Sequence, residues 1–390
     1  MKHKRHRRWT RPLAAVGALF GLLVAVFLVD AWRALGTRAQ GERLARVHAS
    51  PEWKDGKFAN TIPTAPVPFW TATLRWVKGG EFTQPKSPPP LAKPADFSQP
   101  PASGLRITWF GHSSLLIEID GRRILTDPVW SERCSPSSFT GPKRFFQPPL
   151  ALERLPPLDA VVISHDHYDH LDEPTLTALK DRVPRFVVPL GIGAHLEYWG
   201  IARERLIELD WWGKAVVAGI ELTATPARHF SGRSLSDANQ TLWAGWALRG
   251  PSHRVFFSGD TAMFPGFAEI GERLGPFDAA LIEVGAYDAL WADVHLGPEQ
   301  ALAAHKLLKG GVMFPVHWGT FDLALHGWTE PAERLLAAAR EAGVSLVVPR
   351  PGESIEPARP PPATRWWPEQ PWHTAAEHPV VSSGLTLAPK

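Results

Sequence analysis

The sequence predicts an α/β protein of two mixed β-sheets with helices on the outside. Three observations predict it. Between residues 107 and 348, short apolar runs alternate with helical segments, an order that suits mixed sheets covered by helices. Asp120-Gly121 separates two such runs as a two-residue hairpin, which makes that pair antiparallel. Four runs end in a loop bearing His or Asp, as when a rigid scaffold presents functional side chains at strand ends. With 390 residues, 44 % of them hydrophobic, the chain can bury one large core or two modest ones.

The chain opens with Lys2, Lys4, Arg5, Arg7, Arg8 and Arg11, and residues 13–29 then carry no charge or strong polar group. Seventeen such positions lie at the short end of what crosses a bilayer as a helix. The expectation is a basic cytoplasmic flank at 1–12 and a transmembrane anchor at 13–29. Arg33, Arg38, Arg43 and Arg46 on the far side leave the charge bias at six against four, favouring a single pass through the inner or plasma membrane with the globular domain beyond it. A cleaved signal peptide ending near Val29-Asp30-Ala31 is the competing reading. Residues 30–104 read as a connector whose many prolines favour extended chain packed along the domain, with Phe69, Trp70 and Trp76 adding apolar bulk.

The globular domain, 105–356, begins with strands at 107–110, 115–119 and 123–126. A further strand at 160–163 precedes a helix that Asp172 caps and Pro174 opens. Strands at 186–189 and 206–209 flank a helix at 193–199, and paired runs lie near Ile220 and Leu242. The second half continues with a strand at Val255, a helix at 267–274, a strand at 279–284, a helix at 298–308 and a strand at Val312. A helix at 331–342, stopped by Gly343, and a strand at 345–348 end the domain. Residues 357–390 are Pro-rich and polar and predict little regular structure. The lone Cys134 excludes an intrachain disulfide and a cysteine-rich zinc site. A net charge of +3 gives no case for a nucleic-acid partner.

The chemistry concentrates in SHDHYDH, 164–170, directly after the run at 160–163. His165 and His167 stand two residues apart, so extended backbone projects both to one side, and Asp169 and His170 can face a second ion. Imidazole and carboxylate suit zinc or a similar divalent ion, and hydrolytic sites often pair two of them. Two ions need further ligands. His229, Asp260 and His317 each follow a later apolar run. One such His is more often a hydrogen-bonded loop residue than a ligand, so it is the ordered set that carries weight. Asp260, the only carboxylate among the three, has two oxygens and is assigned as the bridge. Asp127 either orients an imidazole or caps a turn, and His112 in GHSS leaves a similar choice, with a structural histidine slightly favoured.

The order HxHxDH, His, Asp, His resembles the metallo-β-lactamase superfamily of binuclear metallohydrolases. The stretches GPKRF (141–145), AVVISHDHYDHLD (160–172), IELDWW (207–212), SGDT (258–261), GPFD (275–278), GAY (285–287) and HWGTF (317–321) resemble the N-acylphosphatidylethanolamine-hydrolysing phospholipase D family. That resemblance, over 105–356, implies a metallo-β-lactamase αββα sandwich, here preceded by the transmembrane helix. It also implies two Zn²⁺ or other divalent ions, with His165, His167 and His229 on the first, Asp169, His170 and His317 on the second, and Asp260 between them. His295 falls where the family has a substrate-contacting histidine, although Val294 precedes it where a polar residue is expected. Asp166 and Tyr168, at the variable positions of the loop, are expected to line the entrance.

The implied activity is hydrolysis of an N-acylphosphatidylethanolamine-type phospholipid to N-acylethanolamine and phosphatidic acid. Asp169, Asp260 and His295 are the expected catalytic residues, and a hydroxide between the ions is the nucleophile. Expected partners are the phospholipid and a membrane; a homodimer stays open. Alternatives are another hydrolase on the same fold acting on a lactone or ester, and a membrane-tethered binding protein with structural metals only.

Overall fold

The structure, a computed structural model, describes residues 7–385, with side chains from residue 15 onward except that of Phe69. Helix α1 (Arg7–Ala31) is followed by α2 (Gly41–His48) and by a small antiparallel ribbon of β1 (Trp53–Lys54) and β2 (Lys57–Phe58). Asp55 and Gly56 both take positive φ at its turn. Helix α3 (Phe69–Lys78) fits between Pro68 and Gly79.

The first main sheet opens as a meander of β3 (Leu105–Gly111), β4 (Ser114–Ile119) and β5 (Arg122–Thr126). Asp120 and Gly121, at φ 49° and 78°, make the expected hairpin. Then β6 (Ala160–Val162), α4 (Glu173–Leu179), β7 (Phe186–Pro189), α5 (Gly193–Tyr198) and β8 (Leu206–Leu209) extend it in parallel. The second sheet starts with antiparallel β9 (Lys214–Val217), β10 (Ile220–Thr225), β11 (Gly245–Arg249) and β12 (Arg254–Phe257). After α6 (Gly266–Leu274), β13 (Phe277–Glu283), α7 (Pro298–Leu307) and β14 (Gly310–Val316) complete it in parallel. Helix α8 (Glu330–Ala342) follows, and β15 (Ser354–Ile355) returns to pair with β3. Among the described residues the strand orders are β15-β3-β4-β5-β6-β7-β8 and β14-β13-β12-β11-β10-β9.

Period-two alternation assigns the faces. Leu115, Ile117 and Ile119 join Leu222, Phe257 and Leu281 in one core between the sheets. Leu116, Leu125, Val161 and Val188 point the other way, onto Leu176 and Leu179 of α4 and Leu196 of α5. The result is the αββα layering that the family resemblance implied.

Three expectations change. The membrane anchor at 13–29 is corrected: among the described residues no helix is long and apolar enough to cross a membrane. Helix α1 carries the apolar run 13–29. Its end docks on the domain instead, with Asp30 accepting from the backbone N–H and hydroxyl of Ser138 at 2.8 Å. The single-pass localisation falls with it, and the basic flank at 1–12 lies outside the residues whose side chains are described. The strand expected at 345–348 reduces to a single bridge, Met313 to Leu346, beside β14.

The tail, too, differs from a loose polar segment. Trp367 is buried, packs edge-on against Trp318 at 5.4 Å and donates its indole N–H to Glu333 at 2.8 Å. Trp318 in turn stacks on Trp109 of β3. Trp367→Ala should therefore destabilise the fold by about 3–5 kcal/mol through lost packing, read as a lowered urea midpoint; an unchanged midpoint would show the tail to be dispensable.

Candidate metal centre

The loop 163–172 leaves β6 into the edge where both sheets end, and three later loops meet it there. His229 follows β10, Asp260 follows β12 and His317 follows β14. The backbone at this edge is unusual: Asp127, His112 and His317 have φ of 34°, 52° and 63°. Such left-handed non-glycine residues persist only where the surroundings fix them, and they gather at functional sites. Gly259 explains the SGD stretch, because a Cβ there would lie 2.5 Å from the Cβ of Ser164.

All seven sequence-derived ligands converge. His165 Nε2 lies 2.8 Å from His167 Nδ1, which lies 3.3 Å from His229 Nε2. Three lone-pair-bearing nitrogens directed at one point suit a cation. Across from them, Asp169 Oδ2 sits 3.2 Å from His317 Nε2 and 3.4 Å from His170 Nε2. Between the two groups, Asp260 Oδ2 lies 3.0 Å from His317, 3.2 Å from His170 and 3.8 Å from both His165 and His229. One carboxylate thus borders both triads, the position a bridge requires.

Neighbouring groups orient these imidazoles. Asp127 Oδ2 accepts from His170 Nδ1 at 2.7 Å, leaving Nε2 for an ion, and its other oxygen accepts the Ser164 N–H. The Val294 carbonyl accepts from His229 Nδ1 at 2.8 Å, with the same effect. Asn60, in the connector, brackets the His229 backbone on both sides. His112 Nε2 donates to Asp169 Oδ2 over 2.9 Å, so it belongs to the site and not only to the scaffold. Sequence reasoning left Asp127 open, leaned away from His112 and missed Glu283, whose carboxylate takes His295 Nδ1 at 2.9 Å. The signal for Glu283 was faint: an acid directly after the apolar run 279–282.

Two expected entrance residues sit elsewhere. Asp166 is buried and accepts from the Gly232 N–H and the Thr241 hydroxyl, both at 2.7 Å. Tyr168 lies under the Arg233 guanidinium, 4.1 Å from its ring centre, and gives its hydroxyl hydrogen to the Arg233 carbonyl. His295 does face an opening, a groove of about 450 Å³ shared with Phe230, Trp291, Val67 and Trp76. Cys134 is buried, and burial pushes its thiol well above the usual value, so it is no nucleophile.

The electrostatics fit divalent ions. Burial holds His165 and His229 well below the usual imidazole range, in the neutral form that ligates metal. Burial opposes charging His170 and His317 as well, yet Asp260, reinforced by Asp169, outweighs it and lifts His170 well above its ordinary value and His317 to about 10. Protons occupy those two rings where cations would. His170 Nε2 and Asp260 Oδ1 are also buried without a hydrogen-bond partner, which ions would supply.

The sign of the pH effect follows. His170 and His317 hold protons in the metal-free protein up to their raised values, so metal must displace them, and loading strengthens as pH rises from 6 towards 9. Titrating Zn²⁺ into metal-stripped protein near pH 7.5, in buffers of different ionisation enthalpy, should show net release of about two protons; release of none would contradict the ligand set.

Residues 122–318 match the family model described as a β-lactamase superfamily domain. An uncharacterized protein of Mycobacterium tuberculosis is 49 % identical over 344 residues, 86 % of this chain and 91 % of that one. N-acyl-phosphatidylethanolamine-hydrolyzing phospholipase D 1 of Caenorhabditis elegans is 41 % identical over 254 residues, 61 % of this chain and 71 % of that one. A UPF0173 metal-dependent hydrolase of Pyrobaculum aerophilum is 28 % identical over 253 residues, 65 % of this chain and all of that one.

Proposed function

Because the chain belongs to the metallo-β-lactamase superfamily as a metal-dependent hydrolase, we propose that it is a binuclear zinc phosphodiesterase that cleaves N-acylphosphatidylethanolamine-type phospholipids. The observation that carries this reading is Asp260, a single buried carboxylate bordering both ligand groups. His165, His167 and His229 would hold one ion, and Asp169, His170 and His317 the other. Two such ions lower the pKa of a coordinated water and stabilise charge on a phosphoryl oxygen.

The rest is work for the chain's own residues. The groove beside His295 has an apolar lining in Val67, Trp76, Phe230 and Trp291, which suits the aliphatic part of an amphiphile. His295 stands where that groove reaches the ligand cluster, with Nδ1 3.9 Å from Asp260. It is placed to meet the phosphodiester. Among the described residues, Ser164 at the site is buried and gives its hydroxyl hydrogen to Asp127, and Cys134 is buried away from solvent, so in this reading water attacks phosphorus directly and the bond to the ethanolamide oxygen breaks.

Three measurements test this reading. In heavy-oxygen water the label should enter phosphatidic acid and not the N-acylethanolamine. Asp260→Ala should lose both turnover and metal. His295→Ala should keep its metal and lose on the order of 100-fold in turnover. Lactone or carboxyl-ester hydrolysis exceeding diester hydrolysis across a substrate panel would overturn the assignment.

A further inference from the structure

Glu283 is a buried acid that the proposed reaction leaves without a task. It ends β13 with no exposed surface, and its two oxygens meet different partners. Oε1 accepts the backbone N–H groups of Thr261 at 2.7 Å and Leu296 at 3.1 Å. Oε2 takes His295 Nδ1 at 2.9 Å and lies 4.0 Å from Nδ1 of His317, a buried nitrogen with no hydrogen-bond partner. A carboxylate cannot donate, so it keeps the hydrogen of His295 on Nδ1 and leaves Nε2 for other work, whereas 4.0 Å to His317 is too long for a hydrogen bond. For His317, Nε2 already faces Asp169 and Asp260. For His295, Nε2 is the nitrogen left for the groove.

We propose that Glu283 is a positioning residue that sets the ring orientation and tautomer of His295, turning Nε2 to the scissile phosphodiester. The catalytic part of this inference rests on the phosphodiesterase reading; the tautomer does not.

Glu283→Gln separates the two. The amide keeps an oxygen for the Thr261 and Leu296 N–H groups but turns its NH₂ to His295, which then must carry its own hydrogen on Nε2. Histidine-selective ¹⁵N spectra of the zinc-loaded full chain, with His295→Ala assigning the signal, should show Nδ1–H in the wild type and Nε2–H in the variant. Metal content should stay at the wild-type level. On the phosphodiester, kcat/KM should fall about 10–100-fold, and adding Glu283→Gln to His295→Ala should cost less than about twofold more. Wild-type His295 protonated on Nε2, or additive losses in the double variant, would overturn the proposal. A wild type that turns over no phosphodiester would sink the functional reading alone, because the spectra still report on Glu283.

Discussion

The molecule is organised around a charge problem at one edge of its two sheets. Asp169 and Asp260 carry carboxylates into a region that also buries His165, His170, His229 and His317. An uncompensated buried charge costs several kcal/mol, so the cluster is stable only while positive charge sits among these groups. Protonated His170 and His317 supply it in the metal-free protein, and divalent ions supply it better. Loops from both sheets contribute, the first sheet through 163–172 and the second through His229, Asp260 and His317. The same compensation therefore pins one sheet's edge to the other's.

Segments outside the matched family domain support that edge. Arg228, next to His229, is buried and donates to the Pro63 carbonyl of the connector and the Ser383 carbonyl of the tail. Asp293 accepts from the Ala65 N–H and the Ser383 N–H, and the next two residues orient His229 and reach the groove. Connector and tail thus close over the loop that carries His295, and connector residues furnish part of the groove wall. Part of the groove wall therefore comes from residues 64–67 and 76, outside the matched family domain.

Much of the fold and of the ligand set was legible because the signals are local. Asp120-Gly121 announces its hairpin, and apolar runs of four to seven residues announce the buried strands. His229, Asp260 and His317 stood out because each follows such a run. What stayed hidden depends on tertiary neighbours. Asp127 meets His170 from 43 residues away and His112 meets Asp169 from 57 away, and nothing in either local stretch announces the partner. Glu283 looked like an ordinary strand end until Leu296 and His295 folded back on it. The tail, rich in proline, read as loose because proline excludes ladders; it does not exclude packing, and Trp367 packs.

The misplaced Asp166 and Tyr168 teach the most, since the rule that located the ligands also excludes the first of these from the entrance. Extended backbone alternates its side chains. His165 and His167 project to the ions, so Asp166 between them projects away, and Tyr168 lies in the turn that follows, where the N–H groups of His170 and Leu171 return to the His167 carbonyl. Behind the loop they meet Arg233, which is buried, covers the Tyr168 ring, and donates to the carbonyls of Asp166 and Leu171 at the two ends of the ligand stretch. Its Nε donates to the Ala34 carbonyl at 2.7 Å, so the segment after α1 is held by the same guanidinium. Asp166 and Tyr168 are therefore engaged behind the ligands. They form the rear support that keeps the ligand nitrogens converged, and the groove beside the site is lined from other loops, including the one that carries His295.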